Sequence, residues 1–122
     1  MEVFNCDKVY LDKDNYGGYG VFAKDDIKKG DIVEVGLIIR LVNVDGNENP
    51  HLFTWSDDRK VWATGSGLLM YYNHSDNPNI KKVGDLENDS MKIIALKDVS
   101  KGSELCNTYM SKKWRKCFLE FK

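Results

Sequence analysis

The chain has 122 residues, the length of one domain and enough to bury a core without disulfide or metal support. Hydrophobic residues at 42% and aromatic residues at 11% exclude a disordered chain. Eighteen Lys and Arg against 19 Asp and Glu leave a net charge of −1, without the basic excess of a dedicated nucleic-acid binder. Cys6, Cys106 and Cys117 form no Cys-x-x-Cys pair, and the only histidines are His51 and His74, so neither a metal site nor a disulfide framework is expected. The start lacks the charge and apolar pattern of a leader, and no apolar run approaches the roughly 20 residues of a membrane helix. The expectation is a soluble, intracellular chain with no membrane contact.

Short apolar runs alternate with turn signals at the spacing of a β-rich domain. In chain order, Gly17-Gly18-Tyr19-Gly20 comes first, ahead of a strand at Val21-Phe22-Ala23. It is read as having no strand before it and no helix after it, which sets it apart from a dinucleotide fingerprint. It reads either as a hairpin turn or as a place where a ligand meets the backbone. Further strands are expected at Asp31–Val35, Leu37–Val42, Leu52–Trp55, Lys60–Ala63 and Met91–Leu96, with Asp45-Gly46 and Gly84-Asp85 as positive-φ turns. A short helix is expected from an N-cap at Ser111, with Trp114, Cys117 and Phe118 on its apolar face. Its basic run, Lys112 to Lys116, reads as a solvated face or a targeting patch.

One device occurs twice. Ala23-Lys24-Asp25-Asp26-Ile27-Lys28-Lys29-Gly30 and Ala95-Leu96-Lys97-Asp98-Val99-Ser100-Lys101-Gly102 share Ala, Asp, Lys and Gly at identical spacing. The physical reading is a strand end, a β-branched plug into the core at Ile27 or Val99, and a tight turn at glycine. Two further runs are dense in polar groups. Tyr71-Tyr72-Asn73-His74-Ser75-Asp76-Asn77-Pro78-Asn79 is either an Asx- and Pro-rich turn or a site, and Ser75 lacks the G-x-S-x-G elbow of a hydrolase. Glu104-Leu105-Cys106-Asn107-Thr108-Tyr109 follows the second device; Cys106 reads as a small buried hydrophobe and Tyr109 as a strand-end residue with a wet tip, or as a site residue.

Taken together, Gly-Tyr-Gly-Val-Phe-Ala, then Asn-His-Ser-x-x-Pro-Asn, then Lys-Gly-x-Glu-Leu-x-x-x-Tyr resemble the SET-domain protein lysine methyltransferases over Tyr16 to Trp114. With no cysteine-rich flanks, the chain looks most like the small stand-alone SET enzymes of large DNA viruses, a single SET domain over residues 1–122. The resemblance implies a mostly β SET-domain fold of several small sheets, a threaded (pseudoknot) C-terminal segment and a short C-terminal helix. It implies S-adenosyl-L-methionine as cofactor, held by Gly18, Tyr19 and Gly20 with Asn73 and His74, and covered at the adenine by Trp114. It also implies a catalytic role for Tyr109, which would orient the substrate amine, in a channel lined by Tyr19, His51, Phe53, Asn107 and Tyr109.

Three positions depart from the family pattern. His51 stands where close relatives have a channel tyrosine, Asn107 where many carry a methyl-limiting Phe or Tyr, and Cys106 where Thr is common. The implied substrate is a protein, a histone tail lysine, with no direct nucleic-acid binding; a homodimer is compatible with the resemblance. The implied location is the nucleus, that of the host if the origin is viral. A second reading is a SET-fold interaction module that has lost turnover.

Overall fold

Alternation between apolar and polar residues produces nine strands in the described residues of the computed structural model, which are 5–45, 52–55 and 60–108. In chain order they are β1 (Val9–Lys13), β2 (Tyr19–Ala23), β3 (Ile32–Leu41), β4 (Phe53–Thr54), β5 (Trp62–Gly65), β6 (Asn73–His74), β7 (Ile80–Asp85), β8 (Ser90–Ala95) and β9 (Glu104–Asn107). One sheet has the order β1-β2-β9-β6 and the other β4-β5-β3-β8-β7. All pairs are antiparallel except β6 with β9. Among the described residues no helix is long and apolar enough to cross a membrane. The expected C-terminal helix and the threading of that segment lie outside the described residues.

Several sequence expectations are corrected. A strand does precede the glycine run: β1 pairs with β2, so Asp14 to Gly18 is the loop of a hairpin. As an edge strand β1 buries only Val9 fully, and its apolar run, Val9-Tyr10-Leu11, is too short to mark a strand by pattern alone. The two strands expected on either side of Gly36 are one, β3, because the absence of a Cβ there admits a neighbour instead of breaking the strand. A Cβ on Gly36 would stand 2.5 Å from Leu69 Cδ1 and one on Gly65 2.8 Å from the same atom, so Leu69 is seated on two glycines. Gly84-Asp85 is no turn but the end of β7; the left-handed position is Asp89, at φ 48°. Gly84 serves close packing, since a Cβ there would meet the Trp55 ring at 2.9 Å. Gly46 lies outside the described residues.

The repeated device is present as read, and its two copies hold each other. Ile27 and Val99 exchange both backbone hydrogen bonds, each at 2.8 Å. Gly30 N donates to Ala95 O at 2.9 Å, and Gly102 N donates to Ala23 O at 2.8 Å. Lys29 N donates to Asp98 Oδ1 and Lys101 N to Asp26 Oδ1, both at 2.9 Å. Both glycines are left-handed, at φ 90° and 84°, where a side chain is strained whatever the space around it. The result is a clasp with approximate twofold symmetry that joins the two sheets, with Ile27, Val99, Ala23 and Ala95 in the core.

The inner face of the larger sheet is ordered in rows across β3, β8 and β7. Gly36, Met91 and Gly84 form one row, and Glu34, Ile93 and Lys82 form the next. A register irregularity between Ile32 and Glu34 turns Val33 and Glu34 both inward, so two consecutive residues are buried where simple alternation would expose one.

Candidate functional site

The site is built where β6 runs parallel to β9. Asn73 faces Cys106 and His74 faces Asn107, which joins the Asn-His run to the Glu-Leu run at one edge of the smaller sheet. Asn79, the last residue of the first motif, makes this joint firm. Its Nδ2 donates to Glu104 O at 2.9 Å, and its Oδ1 accepts from Cys106 N at 2.8 Å. One amide side chain thus replaces a strand partner for β9. Ser75 N donates to Asn107 O at 3.0 Å and Thr108 Oγ1 to Ser75 O at 2.9 Å, extending the joint past the strand ends.

Asn73 is the centre. Its Nδ2 lies 2.9 Å from Asp14 Oδ2, 2.8 Å from Glu104 Oε2 and 3.2 Å from Tyr19 O. The two carboxylates fix the orientation of the amide, because an oxygen in that place would face two anions. The nitrogen has two hydrogens for three acceptors. The amide's other atom, Oδ1, can only accept.

Asp14 and Glu104 hold the Asn73 amide, and sequence reasoning gave neither of them a role. Asp14 ties the hairpin loop through Oδ1, which accepts from Tyr16 N at 2.8 Å and Gly18 N at 2.9 Å. The Gly18 and Tyr16 amides, in that order, hold its carboxyl below its ordinary value against the smaller opposing effect of burial, with Asn73 adding to the lowering. An Asp four residues before a glycine, in a loop entering a strand, is the only local signal it gives. Glu104 was visible within its motif but had no assigned partner.

Among the glycines, Gly20 is the one the site requires. A Cβ there would lie 2.5 Å from Glu104 Oε2 and 3.0 Å from Asn73 Nδ2. Gly17 is left-handed at φ 87°, and a Cβ on Gly18 would make only ordinary contact with Asp14. Tyr19 reaches the centre through its carbonyl, and its side chain is exposed.

His74 is half-buried, with Nε2 2.8 Å from Asp76 Oδ1. Asn107 is buried on the same strand face as Leu105; its Nδ2 donates to Thr108 O at 3.3 Å, and its Oδ1 has no partner among the described residues. Burial, then the Glu104 carboxylate, pushes the Cys106 thiol up to about 12, so it stays protonated and acts as a packing group. The structure therefore brings together Gly18, Tyr19, Gly20, Asn73, His74 and Asn107. His51, Tyr109 and Trp114 lie outside the described residues, as does the side chain of Phe53.

This arrangement has relatives. A family model described as the SET domain matches residues 18–110. Among solved structures, a candidate histone methyltransferase of Plasmodium falciparum is 28% identical with a TM-score of 0.67, over 84% of this chain and 92% of that one. A humanized mutant of the Chaetomium thermophilum Polycomb Repressive Complex 2, bound to an inhibitor, is 28% identical with a TM-score of 0.69, over 84% of this chain but 15% of that one. A structure of ctPRC2 in complex with H3K27me3 and H3K27M is 26% identical with a TM-score of 0.67, over 85% of this chain and 14% of that one. No curated protein sequence matches the chain. The match to the family model takes in Gly18 to Gly20, the clasp, and Asn73 with Glu104, and the chain belongs to the SET-domain family.

Proposed function

We infer that the chain is an S-adenosylmethionine-dependent protein-lysine N-methyltransferase acting on a histone tail. The observation that carries this reading is the parallel pairing of Asn73 with Cys106 and His74 with Asn107, beside the Tyr19–Gly20 strand. That pairing assembles the three motifs into one place. The fit to the cofactor rests on the Asn73 amide: with Nδ2 committed to Asp14 and Glu104, Oδ1 suits the cationic amino group of an amino acid. Bound there, S-adenosylmethionine would supply a methyl group activated by a sulfonium.

The residues of the chain would do the rest. Asn73 and the backbone from Gly18 to Gly20 would hold the amino-acid end, His74 would face the adenine and Trp114 would cover it. Tyr19, His51, Phe53 and Asn107 would line the lysine channel. A lysine amine must be neutral to attack, and free lysine titrates near 10.4. Desolvation in that channel disfavours the ammonium, so a strong side-chain base is not needed. Tyr109, two residues after Asn107, would orient the amine, and alignment is where a positioned phenol contributes most. A histone substrate would place the protein in a nucleus, the host's if its origin is viral.

The test pairs calorimetry against S-adenosylmethionine with a methyl-transfer assay on core histones read by mass spectrometry. The wild type should bind and transfer. Tyr109→Phe should fold and bind but turn over slower by about two orders of magnitude. A Tyr109→Phe protein that methylates at the wild-type rate would remove Tyr109 from the mechanism. Wild-type protein that binds a histone tail without cofactor would instead be an interaction module, the reading that His51 and Asn107 favour.

A further inference from the structure

The row Glu34–Ile93–Lys82 on the larger sheet points at the segment that leads into β6. Glu34 and Lys82 sit on strands either side of β8, and both reach over Ile93 to the stretch from Leu68 to Tyr72. Glu34 Oε2 accepts from Leu68 N at 2.8 Å, and Oε1 accepts from the Tyr72 hydroxyl at 2.7 Å. Lys82 Nζ donates to Leu69 O at 3.1 Å. A Cβ on Gly67, itself left-handed at φ 59°, would strike Glu34 Oε2, so the turn is shaped around this carboxyl. Glu34 and Tyr72 are both 1% exposed, and Tyr72 immediately precedes Asn73. Nothing in the catalytic reading uses these groups, yet burying a carboxylate and an ammonium is costly unless they are held.

We propose that Glu34, acting through Tyr72 and supported by Lys82, is a positioning residue that sets the strand carrying Asn73 and His74 in the place where it receives the cofactor. The chain of contact is short. Glu34 fixes the Tyr72 ring by its hydroxyl, Tyr72 fixes the start of β6, and β6 carries the Asn73 amide to Asp14 and Glu104. Leu69, seated on Gly36 and Gly65, anchors the same segment by packing alone, so the polar clamp is not needed merely to keep it on the sheet. What packing leaves undetermined is the position of β6 at its Tyr72 end, since its ladder has two residue pairs and the bonds of Ser75, Asn79 and Thr108 hold the joint beyond its far end. The clamp supplies that. Burial pushes the Glu34 carboxyl up, with the Tyr72 and Leu68 donors opposing, which fits a group kept in the interior for its bonds.

The cofactor part rests on the function proposed above, so the experiment reads the strand and the cofactor separately. Tyr72→Phe removes one oxygen and keeps the ring, and Glu34→Ala removes both acceptors. Glu34→Gln keeps an acceptor for Leu68 N and a donor for the Tyr72 oxygen, and is the rescue. Hydrogen exchange at Ser75 N, which bonds Asn107 O, reports β6, and exchange in β8 reports the sheet. In Tyr72→Phe and Glu34→Ala, Ser75 protection should fall about tenfold or more while β8 protection persists, with Glu34→Gln close to wild type. Affinity for S-adenosylmethionine should fall in the same order.

Unchanged Ser75 protection in a folded Tyr72→Phe protein would overturn the proposal. So would reduced protection with wild-type cofactor affinity. If the wild type binds no S-adenosylmethionine, the reading of function fails while the exchange arm still decides whether Glu34 positions β6.

Discussion

The clasp around Ile27 and Val99 and the centre around Asn73 are both loops tied by hydrogen bonds, but the balance of groups differs. In the clasp each donor of one copy meets an acceptor of the other, bond for bond, across the approximate twofold. At Asn73, two carboxylates and a carbonyl share one amide nitrogen, and nearby the buried Asn107 oxygen has no partner among the described residues. A joint that only holds the fold leaves nothing over. An excess of acceptors at a sheet edge suits visitors that bring donors and positive charge, as the amino group of the proposed cofactor and a lysine would.

The sharpest way to break the clasp without touching the centre is Ile27→Ala. Removing that fully packed side chain should cost about 2–5 kcal/mol in denaturant unfolding, with cofactor affinity of the folded protein unchanged. Asn73→Ala should do the reverse. Affinity for S-adenosylmethionine should fall by about 1.5–3 kcal/mol, roughly ten- to a hundredfold in calorimetry, with a smaller change in melting temperature than Ile27→Ala. If both variants lose stability and affinity together, the two regions are not separable.

Smaller effects sharpen the contrast. Gly102→Ala adds a methyl into open space but at φ 84°, so its whole cost should be backbone strain, about 1–2 kcal/mol by chemical denaturation. The last effect tests the clamp. Lys82 is half-buried as a residue, and loss of water around its ammonium lowers its pKa to about 8 from 10.5, with the Glu34 charge opposing. The folded state therefore binds fewer protons than the unfolded one between those values, and stability should rise with pH across that window. Tyr72 and Cys6 face the same carboxylate and are both raised, chiefly by burial, so the comparison must be made against Lys82→Met. Relative to that variant the wild type should gain stability from about pH 8 toward 10. A flat difference would show that the ammonium remains solvated.

The sequence made the clasp legible because its chemistry is local: an Asp, a β-branched plug and a left-handed glycine at fixed spacing describe a turn without knowledge of its partner. The pairing of the two copies was not local and had to be seen. The Asn73 and Glu104 motifs were likewise visible as strings, but Asp14 was not, since its bond to Asn73 spans 59 residues and the local pattern around residue 14 describes only a loop. Glu34 passed as an ordinary strand residue for a different reason. The irregularity before it reverses the alternation, and only the register shows that it points inward. The strand β7 was hidden by its own lysines, Lys81 and Lys82, because one faces water and the other reaches over Ile93.

The symmetry of the clasp has a consequence for how the chain folds. Ile27 and Val99 are distant in sequence, so closing their mutual bond costs least once β3, β5, β7 and β8 have ordered the loop between them, and the expectation is that the clasp closes late. Contacts that form after the rate-limiting step leave the folding rate alone and govern unfolding. Loosening the clasp should therefore speed the unfolding limb of a chevron while the refolding limb stays in place, making this small paired turn the latch that sets the lifetime of the native state.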